Sequence, residues 1–406
     1  MRAGKMLWVA LAIIAVIAAG IVFWPRNSGQ FGAVSHSSEF VKKWEFNLDG
    51  PLSAALALAD DGTLYAATES GSLFALSSSG TLQWKFSAAA IVAAPVIGED
   101  GTIYFSDRDQ VIHAINHTGT ERWSFGGGPH ANKFTPWRAG AIDANYFYTP
   151  WRGLMRGIKL SNGEVGLTMG FGFEDEGSAS ILSNGLLTYP GAGRLDAVDS
   201  TGRTVWQYPV MDPPLTTDLL LKNGGRPPIG NFWLESGIAV GRSAFYAAAA
   251  GSRLVAFGFG GTLKWEFKSK ASSTNRASPV IAGDGTIYFG CGDGTLYAVD
   301  SEGSQKWAVH AGNAISSTPI IAEDGTIFVL SEDTLAAISE DGKLLAKLAL
   351  PGGRAAPSLA PDGTLYVPLR TGKALAFSTS HGPLKSSSPW PKFQRDAANT
   401  GRALPI

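Results

Sequence analysis

The stretch "GDGTIYFGCGDGTLYAVDSEGSQKW", Gly283 to Trp307, decides the fold, because close copies of it recur along the chain. Asp-Gly-Thr followed by a branched aliphatic and an aromatic residue stands at Asp61–Tyr65, Asp100–Tyr104, Asp284–Tyr288, Asp324–Phe328 and Asp362–Tyr366. "NGLLTY" from Asn184 is a looser sixth copy. Neighbouring copies lie 38 to 40 residues apart, and Asp100 to Asn184 spans 84, or two periods. A fixed period of this size signals a repeat architecture. Asp-Gly and Asn-Gly tolerate the positive φ angles of tight hairpins, and the flanking runs alternate apolar and polar residues. Each period therefore reads as four short strands, A to D, rather than a helical unit.

Counting strands gives eight of type A, near Ala54, Ala93, Ala139, Ala179, Gly237, Ser278, Thr318 and Ala356, and eight of type C. After the repeats begin there are seven of type D, carrying Trp84, Trp123, Leu167, Trp206, Trp265, Trp307 and Leu345. The missing one stands upstream in "KKWEFNL", whose Trp44 precedes Trp84 by 40 residues. An N-terminal strand would complete the last sheet and remove the exposed edge of the array. The expected fold is all-β: an eight-bladed propeller of four-stranded antiparallel blades, closed by the N-terminal strand and preceded by one transmembrane helix.

The repeated unit resembles the pyrrolo-quinoline-quinone-type propeller repeat over Lys42 to Ser380. That family includes quinoprotein dehydrogenases and a non-catalytic lipoprotein of the outer-membrane assembly machine. The tail "SPWPKFQRDAANTGR" is similar to a segment of bacterial members. The resemblance implies that Trp84, Trp123, Trp206, Trp265 and Trp307 wedge between blades; Trp44 joins them by its spacing, and the composition of the tail makes Trp390 a structural staple across the closed ring. In the dehydrogenases the quinone sits in the central well beside a calcium held by oxygen ligands. Those ligands have no matching motif positions here, and a vicinal cysteine pair is excluded because Cys291 is the single cysteine. No cofactor is expected; the quinone with calcium is the alternative.

The chain has 406 residues, 45% apolar and 17% charged, with net charge -1 and no long basic run, which argues against nucleic acid. Arg2 and Lys5 precede Met6–Trp24, a run of 19 uncharged residues. At about 1.5 Å per residue that nearly spans a hydrocarbon core of about 30 Å. The basic flank places the N-terminus in the cytoplasm and the body outside it. A cleaved signal after Ala19, leaving a periplasmic or secreted body, is the alternative. The expected organisation is an anchor or signal (1–26), a tether (27–41), a propeller (42–380) and a tail packing on it (381–406), in a monomer on the inner membrane. The single cysteine, far from this segment, offers no N-terminal lipid attachment.

No nucleophile elbow, phosphate loop or zinc-helix motif occurs. The six histidines lack ligand spacing, and "DRDQVI" from Asp107 has Val111 where a calcium loop needs oxygen. Glu174, Asp175 and Glu176 form the densest acidic cluster, read as a solvated loop between blades rather than a metal site, and are kept as partner-binding candidates. Function is therefore expected on the loops that a rigid ring presents. The D-to-A connections at 126–137 and 209–235 are long and share one face with the B-to-C turns. "PWR" occurs at 136–138 and 150–152, the second placed beyond strand B. Trp137, Arg138, Trp151 and Arg152 are the candidate recognition cluster, since Trp and Arg are enriched in binding hot spots. The expected role is a membrane-tethered scaffold for an envelope protein or peptide; the alternative is a quinone-dependent oxidoreductase.

Overall fold

The computed structural model describes residues 39–52, 54–91, 93–126, 139–151, 154–170, 178–191, 194–208, 234–271, 277–396 and 399–403. The described residues form eight separate four-stranded antiparallel sheets. Seven are built from consecutive strands. The eighth takes its outer strand, Val41–Asn47, from the start of the chain and pairs it with Lys373–Ser378. The expected closure is thus present. The expected membrane segment lies outside the described residues, and none of the described helices is long and apolar enough to cross a membrane.

Each Asp-Gly-Thr turn is built the same way. The Asp side chain accepts from the Thr amide two residues on, as in Asp61 to Thr63 (2.8 Å) and Asp284 to Thr286 (2.9 Å). The glycine between them holds φ near +83° or +87°, where a side chain would be strained. In three blades the D strand reinforces the turn: Arg122 reaches Asp100 and Thr102, Lys306 reaches Asp284 and Thr286, and Lys43 reaches Asp362 and Thr364. The periodic sequence therefore encodes turn and rim together.

The inner strands are wholly buried, as in Leu64–Ala67 and Ser72–Leu76, while D strands alternate between half-buried and exposed residues. In each blade with a D-strand Trp, that Trp pairs with an Ala on strand C, from Ala75↔Trp84 to Ala376↔Trp44. Its indole then lies against a positive-φ glycine in the C–D turn of the next blade. A Cβ added at Gly80 would meet the Trp44 ring at 2.6 Å, and one at Gly119 would meet Trp84 at 2.7 Å. The indole N–H donates to a carbonyl just upstream of that glycine: Trp44 to Ser78, Trp84 to His117, Trp123 to Leu160, Trp206 to Phe259, Trp265 to Ser301 and Trp307 to Glu340, at 2.8 to 3.0 Å. Six of the eight blade interfaces carry this weld.

The other two differ. Leu167 faces Gly157, and Met169 approaches Gly202 at the same turn position. In blade 7 the equivalent residue is Ala346, opposite Ala337, and not the expected Leu345, which sits one place earlier. The gap is filled from the closing blade. Phe40 and His381 pack on Phe328, and His381 hydrogen-bonds Asp324 (2.6 Å), Thr326 (3.0 Å) and Glu39.

Candidate functional site: two faces and a filled axis

Alternation of four strands puts D-to-A connections and B-to-C turns on one end of the ring, and A-to-B and C-to-D turns on the other. Backbone bonds stitch the first end together: Glu69 N–H donates to Pro51, Arg108 to Ala90, Glu332 to Ala314 and Arg370 to Gly352. Several charged groups there are paired. Asp49 accepts from Lys85, Thr68 and Ser72, while Arg354 pairs with Glu332 at 2.8 Å. His113 is buried between the carboxylates of Asp107 (3.2 Å) and Glu121 (2.7 Å), with Phe105 stacked on its ring. Burial alone would lower the imidazole pKa, but hydrogen bonds to the Asp107 and Glu121 carboxylates outweigh it and raise it above the usual value.

Of the candidate cluster, Trp137, Arg138, Arg152, Glu174, Asp175 and Glu176 lie outside the described residues. Trp151 is placed. It is the last residue of the strand Tyr146–Trp151, so the second "PWR" begins inside strand B and not beyond it. Its half-buried indole donates to the Gln110 carbonyl (2.8 Å) and packs on Phe125, joining blade 2 to blade 3. The Arg156 guanidinium lies 5.3 Å from the ring centre. Trp151 is thus a packing residue between blades 2 and 3.

The axis of the ring is occupied by the chain's own C-terminal segment. Leaving blade 8, it crosses the A–B turns of blades 7 and 6, where Pro391 O and Trp390 O accept from Ile321 and Ile281 N–H. Phe393 then packs against Ala54, Ala55, Ala94, Ala139 and Ala356, which lead into the innermost strands of blades 1, 2, 3 and 8. Gln394 Nε2 donates to Gly140 and Ala179 carbonyls, and Asn399 Nδ2 to those of Leu56 and Pro95. Left-handed φ at Gln394, Arg395 and Asn399 turns the chain back on itself, so that Thr400 O and Gly401 O accept from Ile142 and Ile181 N–H. Lys392 is fully buried inside this loop, donating to Asn399 Oδ1 (2.6 Å) and Asp396 O (3.1 Å). Burial brings its pKa down to about 8. Trp390 is 1% exposed. Sequence reasoning did not find Lys392, Gln394 or Asn399; the signal available was apolar Trp390 and Phe393 in an otherwise Ser-, Gly- and Pro-rich tail.

Small alanines and a phenyl ring line the axis, and among the described residues no group of three His, Cys, Asp or Glu side chains could hold a metal. Cys291 is buried, its thiol pushed up to about 12 by desolvation, far from the range of a reactive thiolate.

A family profile described as "Outer membrane protein assembly factor BamB" matches residues 41–171, 191–354 and 250–402. The solved structure of BamB from Moraxella catarrhalis superposes with a TM-score of 0.66 at 17% identity, over 84% of this chain and 98% of that one. The computationally designed Ika8 protein superposes with a TM-score of 0.64 at 14% identity, over 82% and 98%. The YxaL protein of Bacillus subtilis (strain 168) is 37% identical over 62 residues, a match spanning 15% of each chain. The profile covers the ring from its closing strand to its axial tail, and the chain belongs to the PQQ-type repeat family of the assembly factor BamB.

Proposed function

We propose that this protein is a non-catalytic propeller held at the membrane of the cell envelope, presenting its D-to-A and B-to-C loop face to a protein or peptide partner. The carrying observation is the filled axis. Phe393 packs on axial alanines of blades 1, 2, 3 and 8, which supports a reading without a quinone in the well. That leaves the loop face for recognition, where the sequence leads us to expect the two long D-to-A connections with Trp137 and Arg138, and Arg152 after strand B. The fold shared with BamB, a protein titled by its part in outer-membrane assembly, supports a scaffold role. Membrane attachment rests on the uncharged run Met6–Trp24 behind Arg2 and Lys5.

The test places a photo-crosslinking residue at Arg138 or Arg152 and, separately, at Glu302 on the opposite end. Discrete adducts in membranes from the first two positions, competed away by Trp137→Ala, are the expected result. Adducts from Glu302 alone would overturn the loop-face assignment. Dye reduction by the purified body after addition of quinone and calcium would overturn the non-catalytic reading.

A further inference from the structure

His113 occupies a place that other blades fill with apolar side chains. It stands on strand C just before the alanine that pairs with the D-strand Trp position. By register Phe74, Val255, Ala336 and Leu375 hold this place in blades 1, 5, 7 and 8, and all four are buried. Packing between blades therefore does not require an imidazole there. Both ring nitrogens of His113 meet carboxylates: Nε2 lies 3.2 Å from Asp107 and Nδ1 2.7 Å from Glu121. A neutral imidazole has one N–H and can donate to one of them; only the imidazolium donates to both. Phenyl rings supply its other neighbours, Phe86 from blade 1 and Phe105 from strand B of blade 2, so Asp107 and Glu121 are the charged groups that face it. Asp107 is 2% exposed, and loss of the proton from His113 leaves that buried carboxylate without its cation.

Asp107 in turn holds the B-to-C turn of blade 2. Its Oδ1 accepts from Val111 N–H (2.8 Å), and its Oδ2 from Ala89 N–H (3.2 Å) in the connection that leaves blade 1. This turn is one that needs holding. Gln110 sits at φ +60°, where the equivalent residues of blades 1, 6 and 8 are glycines, Gly71, Gly294 and Gly372, with φ between +78° and +92°. The Gln110 carbonyl accepts from the Trp151 indole N–H. The same carbonyl lies against Gly126, the last residue of the blade 2 D strand, where an added Cβ would meet it at 2.3 Å. One turn thus touches Trp151, just before Arg152, and the strand end that leads into the first long D-to-A connection. The route from His113 to the loop face is contiguous: imidazole, Asp107, turn, Gln110 carbonyl, Trp151.

We propose that His113 is a pH-sensitive latch of the loop face: as an imidazolium it clamps Asp107 and the turn bonded to Trp151, and on losing its proton it loosens that turn and weakens recognition there. The latch names the regulation of the loop face and rests on that reading. Burial opposes the charge, but the hydrogen bonds to Asp107 and Glu121 hold the pKa of His113 above its unfolded value of about 6.5. The latch is therefore closed below that pH and opens as pH rises through the higher folded value. Hydrogen exchange of the full chain between about pH 6 and 9 reads it without a partner. With the intrinsic rate at each pH divided out, protection at the Ala89 and Val111 amides should fall about tenfold. His113→Phe, which places the side chain of Phe74 at the same position, should abolish the pH dependence. Glu121→Gln, at a half-exposed site, should move the fall about one pH unit lower, because one carboxylate is gone. Adducts from a photo-crosslinking residue at Arg152 in membranes should be several-fold stronger at the acid end of this range, and equal at both ends in His113→Phe. Protection that is flat with pH, or a fall that Glu121→Gln leaves unmoved, overturns the latch. A pH-dependent exchange beside adducts that ignore pH overturns its link to recognition. Adducts absent at every pH overturn the loop-face reading and the regulation with it, while exchange still decides the latch.

Discussion

Lys392 sits where a cation is costly, and its two hydrogen bonds are to neutral acceptors, Asn399 Oδ1 and Asp396 O. Desolvation outweighs the nearby Asp396 charge and holds its pKa at about 8. The unfolded chain keeps its proton up to about pH 10.4, so between about pH 8 and 10 the unfolded state binds more protons than the folded one. Stability from this group therefore rises with pH across that window and is lowest below about pH 8. The full span corresponds to roughly 3 kcal/mol at about 1.4 kcal/mol per pKa unit. Denaturant melts of the parent and Lys392→Met from pH 7 to 10 should show the parent gaining on the variant as pH rises. Parallel curves would mean that Lys392 stays charged when buried. Nothing in the local sequence announced this residue. Its partners lie four and seven positions away within an irregular loop, and what buries it comes from blades hundreds of residues distant.

At the scale of strands, the weld between blades joins a large D-strand ring, a positive-φ glycine and a backbone carbonyl. Trp84→Phe keeps a ring against Gly119 but strands the His117 carbonyl, at a cost of about 1 kcal/mol. Gly119→Ala should cost more, about 1–3 kcal/mol, because its Cβ meets the Trp84 ring at 2.7 Å on a backbone with φ +86°. Thermal melts rank the two, and a Gly119→Ala chain as stable as the parent would sink the interlock. This level of structure was legible in sequence, because the same Trp and Gly recur at one spacing. Two positions were misread. Where a C–D turn precedes it, each Trp stands four residues after the glycine of that turn, as in Gly80 to Trp84 and Gly303 to Trp307, and in blade 7 that spacing from Gly342 falls on Ala346 rather than Leu345. Pro150 looked like the end of a strand, yet Pro150, Pro190 and Pro368 occupy equivalent places in strand B. Strand A is a two-residue ladder, so its pairing stops short of that place and the missing N–H costs no ladder bond.

Over the whole molecule the two chain ends do different work. The N-terminal strand closes the ring: Trp44, Phe46 and Leu48 pack on a core shared by blades 8 and 1, and Lys373 pairs with Glu45 across the junction at 2.5 Å. Glu39 and Phe40, just upstream, fill the interface that Ala346 leaves without an indole. Residues 39–50 thus hold one blade and support both interfaces beside it, those from 42 onward supplying the strand and the interface with blade 1. Without them the buried strand Lys373–Ser378 becomes an unpaired edge of the kind that templates association. The axial tail bridges blades 1, 2, 3, 4, 6 and 7 but lends no strand to blade 8 beyond Ser378, so it cannot replace the closing strand. Deletion of 42–50 is therefore expected to abolish the cooperative melt and to drive self-association seen by light scattering. A matching deletion of 27–38, which leaves the strand intact, should melt at the parent temperature. Adding a synthetic peptide of residues 39–50 to the shortened chain should restore its monomeric state, because the pairing surface on Lys373–Ser378 is intact. If the chain lacking 42–50 melts cooperatively as a monomer at the parent temperature, the ring is held shut by its tail and not by its first strand.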